Sequence, residues 1–213
     1  HRLLGELGAV DFVLQRPDKR YTLGPALFSL GLSAPSPIRD IARIRQLAQG
    51  LADHCGDVVY VALRKFDGVH YLVRAEGSYP IRTHLVSENQ SKPFTASYSG
   101  LALLASLGEE ECRSAINKLA LDAPSDWVEK NRRQLERLIR EKIAEVATQG
   151  YCAGKNIVMP GIAGMAAPIP SATRAPYMTV SISAVEDRLH AERVQELAPQ
   201  LLKSARDMSL FID

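Results

Sequence analysis

Cysteine is scarce in this chain: Cys55, Cys112 and Cys152 are all it contains, and they stand far apart. An odd, dispersed set excludes a disulfide scaffold and offers none of the paired spacings of a zinc site. Three free thiols in a reducing cytoplasm is the expectation, with no metal and no cofactor. Long apolar runs are missing as well. No stretch approaches the roughly 18 apolar residues of a membrane span, and the start lacks the charged-then-apolar order of a signal peptide. Neither sign of charge dominates: 26 Lys and Arg against 24 Asp and Glu leave +2, too even to indicate a nucleic-acid partner. Any contact with DNA must therefore come from a local feature. Aromatic residues make up only 6%. What remains is ordinary globular material, 213 residues with 46% hydrophobic and 23% charged, enough for one domain with an appendage or two small domains. His1 falls inside an apolar-periodic segment, so further chain upstream is expected.

Periodicity and punctuation divide the chain. Arg2-Leu3-Leu4-Gly5-Glu6-Leu7-Gly8 reads as the end of a helix stopped by glycine. Residues 10–14 and Tyr21-Thr22-Leu23 flank a basic turn, Arg16-Pro17-Asp18-Lys19-Arg20, as in a hairpin, and residues 26–32 suggest a short helix. Ser33-Ala34-Pro35-Ser36-Pro37 is the best linker. Ile38, Ile41, Ala42, Ala48, Leu51 and Ala52 then recur at helical spacing up to Gly56. Strands are predicted at 58–64 and 69–74 around an Asp67-Gly68 turn, with a possible third at 81–86. Ser99-Gly100 opens an apolar helix over 101–107, and Glu109-Glu110-Glu111 begins another. A longer helix runs from Trp127 to Thr148, its apolar stripe including Val128, Leu135 and Ile139. Its other face carries Lys130, Arg132, Arg133, Arg137, Arg140 and Lys142, but interleaved Glu129, Glu136 and Glu141 favour a solvated face over a nucleic-acid patch. Two strands, 164–169 and 177–184, precede a terminal helix whose apolar period crosses Pro199, where a kink or a restart is expected. Helices around antiparallel strands make an α+β organisation.

Several blocks resemble the IclR family of bacterial transcriptional regulators. Residues 2–8 with Tyr21-Thr22-Leu23-Gly24 and Leu30-Gly31 are similar to its join between recognition helix, wing and linker helix. Pro93-Phe94-Thr95-Ala96-Ser97 with Gly100-Leu101-Ala102, and Gly150-Tyr151, Pro160-Gly161-Ile162, Ala166-Ala167-Pro168 and Val180-Ser181-Ile182-Ser183, are similar to segments of its effector domain. The resemblance implies a GAF-like antiparallel sheet flanked by helices over 38–213, a linker at 33–37, and over 1–32 the truncated remnant of a winged helix-turn-helix domain with the start of the linker helix. It also implies a homodimer or homotetramer that binds operator DNA through a mostly missing N-terminal domain and responds to a small molecule, an organic acid or aromatic catabolite. DNA contacts are expected from Arg2, Arg16, Lys19 and Arg20, cations at a hairpin tip and preceding helix suited to backbone phosphates.

Two features suggest an effector pocket. Ser97, Tyr98 and Ser99 lead into a helix, where a hydroxyl cap and backbone N–H groups suit an anion, or simply cap a helix. On the strand 177–184, Thr179, Ser181 and Ser183 share one face, either a binding wall or a solvated surface. The resemblance favours the pocket and implies effector contacts at Tyr98, Ser99, Gly154, Ile162, Gly164, Ser181 and Ser183, with Ile81 and His84 as wall residues. Gly154 and Gly164 would leave room for a ligand, and Lys155 would add to a preference for an anion. Two other readings compete. A hydrolase-like enzyme could draw on His54, Cys55, His70 and His84, but His54 and Cys55 are neighbours whose side chains diverge, and no nucleophile elbow is present. A purely oligomerising module would have no polar pocket between the last strands and the helix from Ser99.

Overall fold

The computed structural model divides into two units, residues 1–37 and 38–213. It describes residues 2–34, 36–122, 125–156 and 159–213, leaving aside the side chains of 119–132. Expectations placed on His1, Pro35, Trp127, Val128, Glu129, Lys130 and Arg132 thus lie outside the described residues and side chains.

In the first unit, α1 (Arg2–Ala9) precedes an antiparallel hairpin of β1 (Val13–Gln15) and β2 (Tyr21–Leu23), and α2 (Pro25–Ser33) follows. The turn closes by Arg16 N–H donating to the Arg20 carbonyl at 2.7 Å and Lys19 N–H to the Arg16 carbonyl at 2.9 Å. Asp18 accepts from the Arg20 N–H at 3.1 Å, the local bond that makes Asp a turn former. Pro25 stands in the first turn of α2, where its missing N–H costs no hydrogen bond. No residue of α2 is buried, although Phe28, Leu30 and Leu32 lie on it.

The second unit is built on six antiparallel strands, ordered β5-β4-β3-β8-β7-β6. They are β3 (Val58–Arg64), β4 (Gly68–Ala75), β5 (Ser91–Pro93), β6 (Cys152–Lys155), β7 (Ile162–Ile169) and β8 (Met178–Val185). Because side chains alternate along a strand, the sheet presents two faces. Val59, Val61, Val73, Met165, Val180 and Ile182 face α3 (Ile41–Cys55) and α7 (Ala191–Ser209). On α3 the buried positions are Ile44, Ala48, Leu51, Ala52 and Cys55, the single stripe expected of an amphipathic helix, and Asp40 caps it by accepting from the Arg43 N–H. The opposite face, with Val58, Tyr60, Ala62, Tyr71 and Ala166, packs against α4 (Tyr98–Leu104), whose residues are all buried, and against Ile139 and Val146 of α6 (Ser125–Gln149). Cys112 and Ile116 of α5 (Glu109–Asp122) complete that layer.

Three expectations need correction. Residues 81–86 form no strand; the segment between β4 and β5 is a loop held by side chains, with Glu88 gripping Arg45 and accepting from the Arg74 N–H, and β5 takes the edge instead. The apolar helix starts at Tyr98 and ends at Leu104 rather than running to Leu107. The terminal helix does not restart at Pro199: α7 continues through it, with Leu197, Ala198 and Leu201 buried on either side. On α6 the basic face is interleaved with acid as a solvated face should be, since Arg137 meets Glu141, Arg140 meets Glu109 of α5 and Lys142 meets Glu145.

Candidate functional site

A cavity of about 100 Å3 lies between α4 and the sheet, bounded by Tyr60, Tyr71, Ser97, Ser99, Ser181 and Ser183 among others. Register explains the gathering. Tyr60 on β3 lies opposite Ser181 on β8, Val58 opposite Ser183, and Gly164 on β7 also opposite Ser183, so all project toward α4. Opposite them Ser97 caps α4, its hydroxyl accepting from the Gly100 N–H at 3.2 Å. Ser99 and Ser181 share a hydrogen bond of 2.8 Å across the gap between helix and sheet. Ser183 is reached from the loop by Thr83, whose hydroxyl lies 3.0 Å from the Ser183 hydroxyl. The hydroxyl face of β8 is thus buried, Thr179 included, and not a solvated surface.

Of the residues named from the sequence, Ser97, Tyr98, Ser99, Gly164, Ser181 and Ser183 are brought together on the cavity wall. Four others lie apart from it. Ile81 is 61% exposed and His84 is exposed on the loop, with its ring 3.5 Å from the Ser87 hydroxyl, while Leu85 and Val86 of the same loop take the wall positions. Ile162 begins β7 opposite Val185, away from the wall. Gly154 is not on the wall, and the room it leaves goes to protein. A Cβ there would stand 2.7 Å from the Tyr98 hydroxyl, at a φ of +148° that suits glycine, and a Cβ on Gly164 would stand 2.9 Å from the Tyr98 ring. The two glycines therefore seat Tyr98, whose hydroxyl donates to the Lys155 carbonyl at 2.9 Å. Burial pushes the Tyr98 phenol well above its ordinary range. Lys155 itself is exposed and paired with Glu186, outside the wall.

Sequence reasoning missed the aromatic end. Tyr60 and Tyr71 meet edge to face with centroids 5.2 Å apart, and burial raises the Tyr71 phenol against the opposing pull of the Ser97 and Ser99 hydroxyls. Alternation along β3 would have put Tyr60 with Ser181 had the pairing of the strands been known. A larger groove of about 470 Å3 lies at the β3–β4 hairpin tip, but its charges are committed to one another, Arg64 to Glu111 at 3.0 Å and Lys118 over the Phe66 ring. Buried polar side chains, the mark of a built site, line the smaller one.

The material for an enzyme does not assemble. Cys55 is buried while His54 is exposed, and burial pushes the Cys55 thiol up to about 11. Burial also raises Cys112 and Cys152, so none is an activated thiolate. His70 meets the Ser91 hydroxyl at 3.1 Å on the far strand edge. Among the described residues no three His, Cys, Asp or Glu side chains converge as a metal site requires. In the first unit, Arg16, Lys19 and Arg20 are exposed in the hairpin turn, Arg20 near Asp18, and Arg2 on α1 pairs with Glu6 at 3.0 Å. Among the described residues no helix is long and apolar enough to cross a membrane.

Comparison with known proteins bears on this geometry. Residues 36–210 match the family model described as bacterial transcriptional regulator IclR C-terminal. The chain is 24% identical over 215 residues to the transcriptional repressor IclR of Escherichia coli (strain K12), covering 99% of this chain and 76% of the relative. Its fold is similar to that of the IclR of Thermotoga maritima, with 22% identity, a TM-score of 0.67, and 98% of this chain and 83% of the other covered. It is similar also to an IclR homolog from Microbacterium hydrocarbonoxydans complexed with 4-hydroxybenzoate, with 22% identity, a TM-score of 0.61, and 99% and 83% covered.

Proposed function

The chain belongs to the IclR family of bacterial transcriptional regulators, and we propose that it is a ligand-responsive DNA-binding regulator whose second unit binds a small carboxylic acid in the cavity between α4 and β8. The family is one of regulators and not of enzymes, in keeping with the unactivated thiols. The observation that carries the ligand reading is the cavity itself, a polar-walled space closed by the Ser99–Ser181 bond, which a purely oligomerising module has no use for. At about 100 Å3 it is far below the roughly 300–1,000 Å3 of pockets for drug-sized molecules. The acid is therefore compact, and a ligand the size of the 4-hydroxybenzoate held by the Microbacterium hydrocarbonoxydans homolog fits only if the wall gives.

Residues 2–33 carry the DNA side of the proposal. The hairpin and its Arg16, Lys19 and Arg20 serve as the wing on backbone phosphates, with Arg2 on the preceding helix, in a winged helix-turn-helix domain. Exposed Phe28, Leu30 and Leu32 on α2 support its use in pairing subunits, and a symmetric dimer suits a pseudo-palindromic operator in the cytoplasm.

The experiment is a thermal-shift screen of the protein against short and aromatic carboxylic acids and their neutral amides, followed by titration of the best acid into Ser181→Ala with Ser183→Ala. An acid that binds the folded state raises the melting temperature. Loss of hydrogen bonds to a charged group weakens the acid about tenfold to a hundredfold, or roughly 1.5–3 kcal/mol. Unchanged affinity in a folded double variant would rule out this cavity.

A further inference from the structure

The cavity has a feature that the serine wall does not explain. Tyr60 is 2% exposed and lines the cavity, yet among the described residues its hydroxyl has no hydrogen-bonding partner. Next to it in register on β4 stands Arg74, on the same face of the sheet, and Nε of its largely buried guanidinium also has no partner. Tyr60 is near enough to act on the titration of Arg74, so two buried donors lie side by side with neither satisfied. Leaving such groups unmet is costly, and native structures seldom do so without a reason.

The rest of Arg74 is held in place. Nη1 pairs with Glu76, and Nη2 donates to the Thr83 carbonyl at 3.4 Å. The Thr83 hydroxyl in turn touches Ser183, so the guanidinium is tied to the serine wall through one residue. Glu76 is shared with Arg82 at 2.7 Å, which leaves two cations to one carboxylate at this end of the cavity. The start of α4 is no competitor for an anion, since Ser97 already caps it and it has only seven residues.

Resting on the reading of the cavity as an effector site, we propose that Tyr60 Oη and Arg74 Nε are the seat of the ligand's carboxylate, with the serine hydroxyls contacting the remainder of a compact acid. The carboxylate accepts one hydrogen bond from each donor, and a guanidinium suits this because it presents N–H groups in a fixed plane and keeps its charge at any physiological pH. Tyr71, edge-on to Tyr60, closes the apolar side of the seat. Selectivity for an acid over its amide follows from the charge of Arg74, and selectivity for small acids from the cavity's size.

The test uses acetate as the smallest carboxylate and acetamide as its neutral counterpart, titrated into the isotopically labelled chain while the Arg74 Nε–H and the Ser181 and Ser183 amides are followed by NMR. The expected result is that all three move saturably together with acetate and stay still with acetamide. Tyr60→Phe should weaken acetate about tenfold to a hundredfold while leaving the melting temperature of the unliganded protein equal or higher, because the hydroxyl it removes had no partner. Arg74→Lys, which keeps the charge and loses the planar donors, should weaken it as well. Lys92→Met, which removes the other cation on the wall, should not. Saturable movement at Ser181 and Ser183 with Arg74 silent, or with Tyr60→Phe binding normally, would overturn the seat and leave the cavity reading intact. No movement at any of the three overturns both.

Discussion

The two faces of the six-stranded sheet are made by alternate residues of the same strands, and they have been put to different uses. Toward α3 and α7 the sheet shows Val59, Val61, Val73, Met165, Val180 and Ile182, apolar side chains packed onto Ile44, Leu51, Leu197 and Leu201. Toward α4 the neighbouring positions are Tyr60, Arg74, Gly164, Ser181 and Ser183, and a cavity remains between them. One face is filled and carries the stability. The other keeps polar groups that only partly satisfy one another, which makes it the face on which a ligand has something to gain. A one-residue register slip in β3 or β8 would exchange the two sets, so the core that fixes the register also fixes the cavity wall.

The largest expected effect tests the filled face. Leu201→Ala removes a side chain that is fully buried between α7 and the sheet, and the cavity it leaves should cost about 2–5 kcal/mol of unfolding free energy in urea titration. Acid binding in the folded fraction should be unchanged. A matched loss of ligand affinity would mean that the two faces are not separable.

A smaller effect is expected from filling the open face. Gly164→Ala places a methyl group 2.9 Å from the Tyr98 ring and 3.4 Å from the Ile182 carbonyl, so the ring must move, and the space open to it is the cavity. Overpacking of this kind costs about 1–3 kcal/mol. Ligand affinity should fall even though no polar contact has been removed, which isothermal titration would read directly. Gly164→Ala with full affinity would show that Tyr98 is not the boundary it is taken to be.

Much of this contrast was legible in the sequence because it is periodic. The stripe on α3, the hairpin at Asp67-Gly68 and the alternation of Thr179, Ser181 and Ser183 with Met178, Val180 and Ile182 follow from spacing, and the structure has them as α3, β3–β4 and β8. The aromatic end was not legible, because Tyr60 and Arg74 join Ser181 only through the order β4-β3-β8, which no local pattern encodes. Gly154 and Gly164 show a subtler failure. Small residues beside a predicted pocket suggest room for a ligand, but here the room is filled by Tyr98, a partner more than fifty residues away in sequence. The loop at 76–90 misled for a different reason: its alternating Ile81, Thr83 and Leu85 look like a strand, but its backbone is placed by side-chain bonds to Glu88 and Thr83 instead of a ladder.

That loop supplies the smallest expected effect. Glu88 takes two bonds from the Arg45 guanidinium, at 2.5 and 2.8 Å, and one from the Arg74 N–H at 2.9 Å, so it fastens the loop to both α3 and β4. Hydrogen bonding from Arg45 holds its carboxyl below the ordinary value of 4.5, against the opposing effect of burial. A depressed pKa in the folded state contributes stability that is fully present above the unfolded value near 4.5 and is lost as pH falls through the lower folded value. The pair is partly exposed, so its net worth is small, about 0.2–1 kcal/mol. Glu88→Gln should therefore lower the melting temperature slightly at pH 7 and not at all at a pH low enough to protonate Glu88 in the folded protein. Because the loop carries Thr83 and Val86 to the open face and nothing to the filled one, the variant should speed proteolysis within 76–90 and weaken acid binding while α3 and α7 keep their hydrogen-exchange protection. Equal loosening of both faces would mean that the loop is part of the common core.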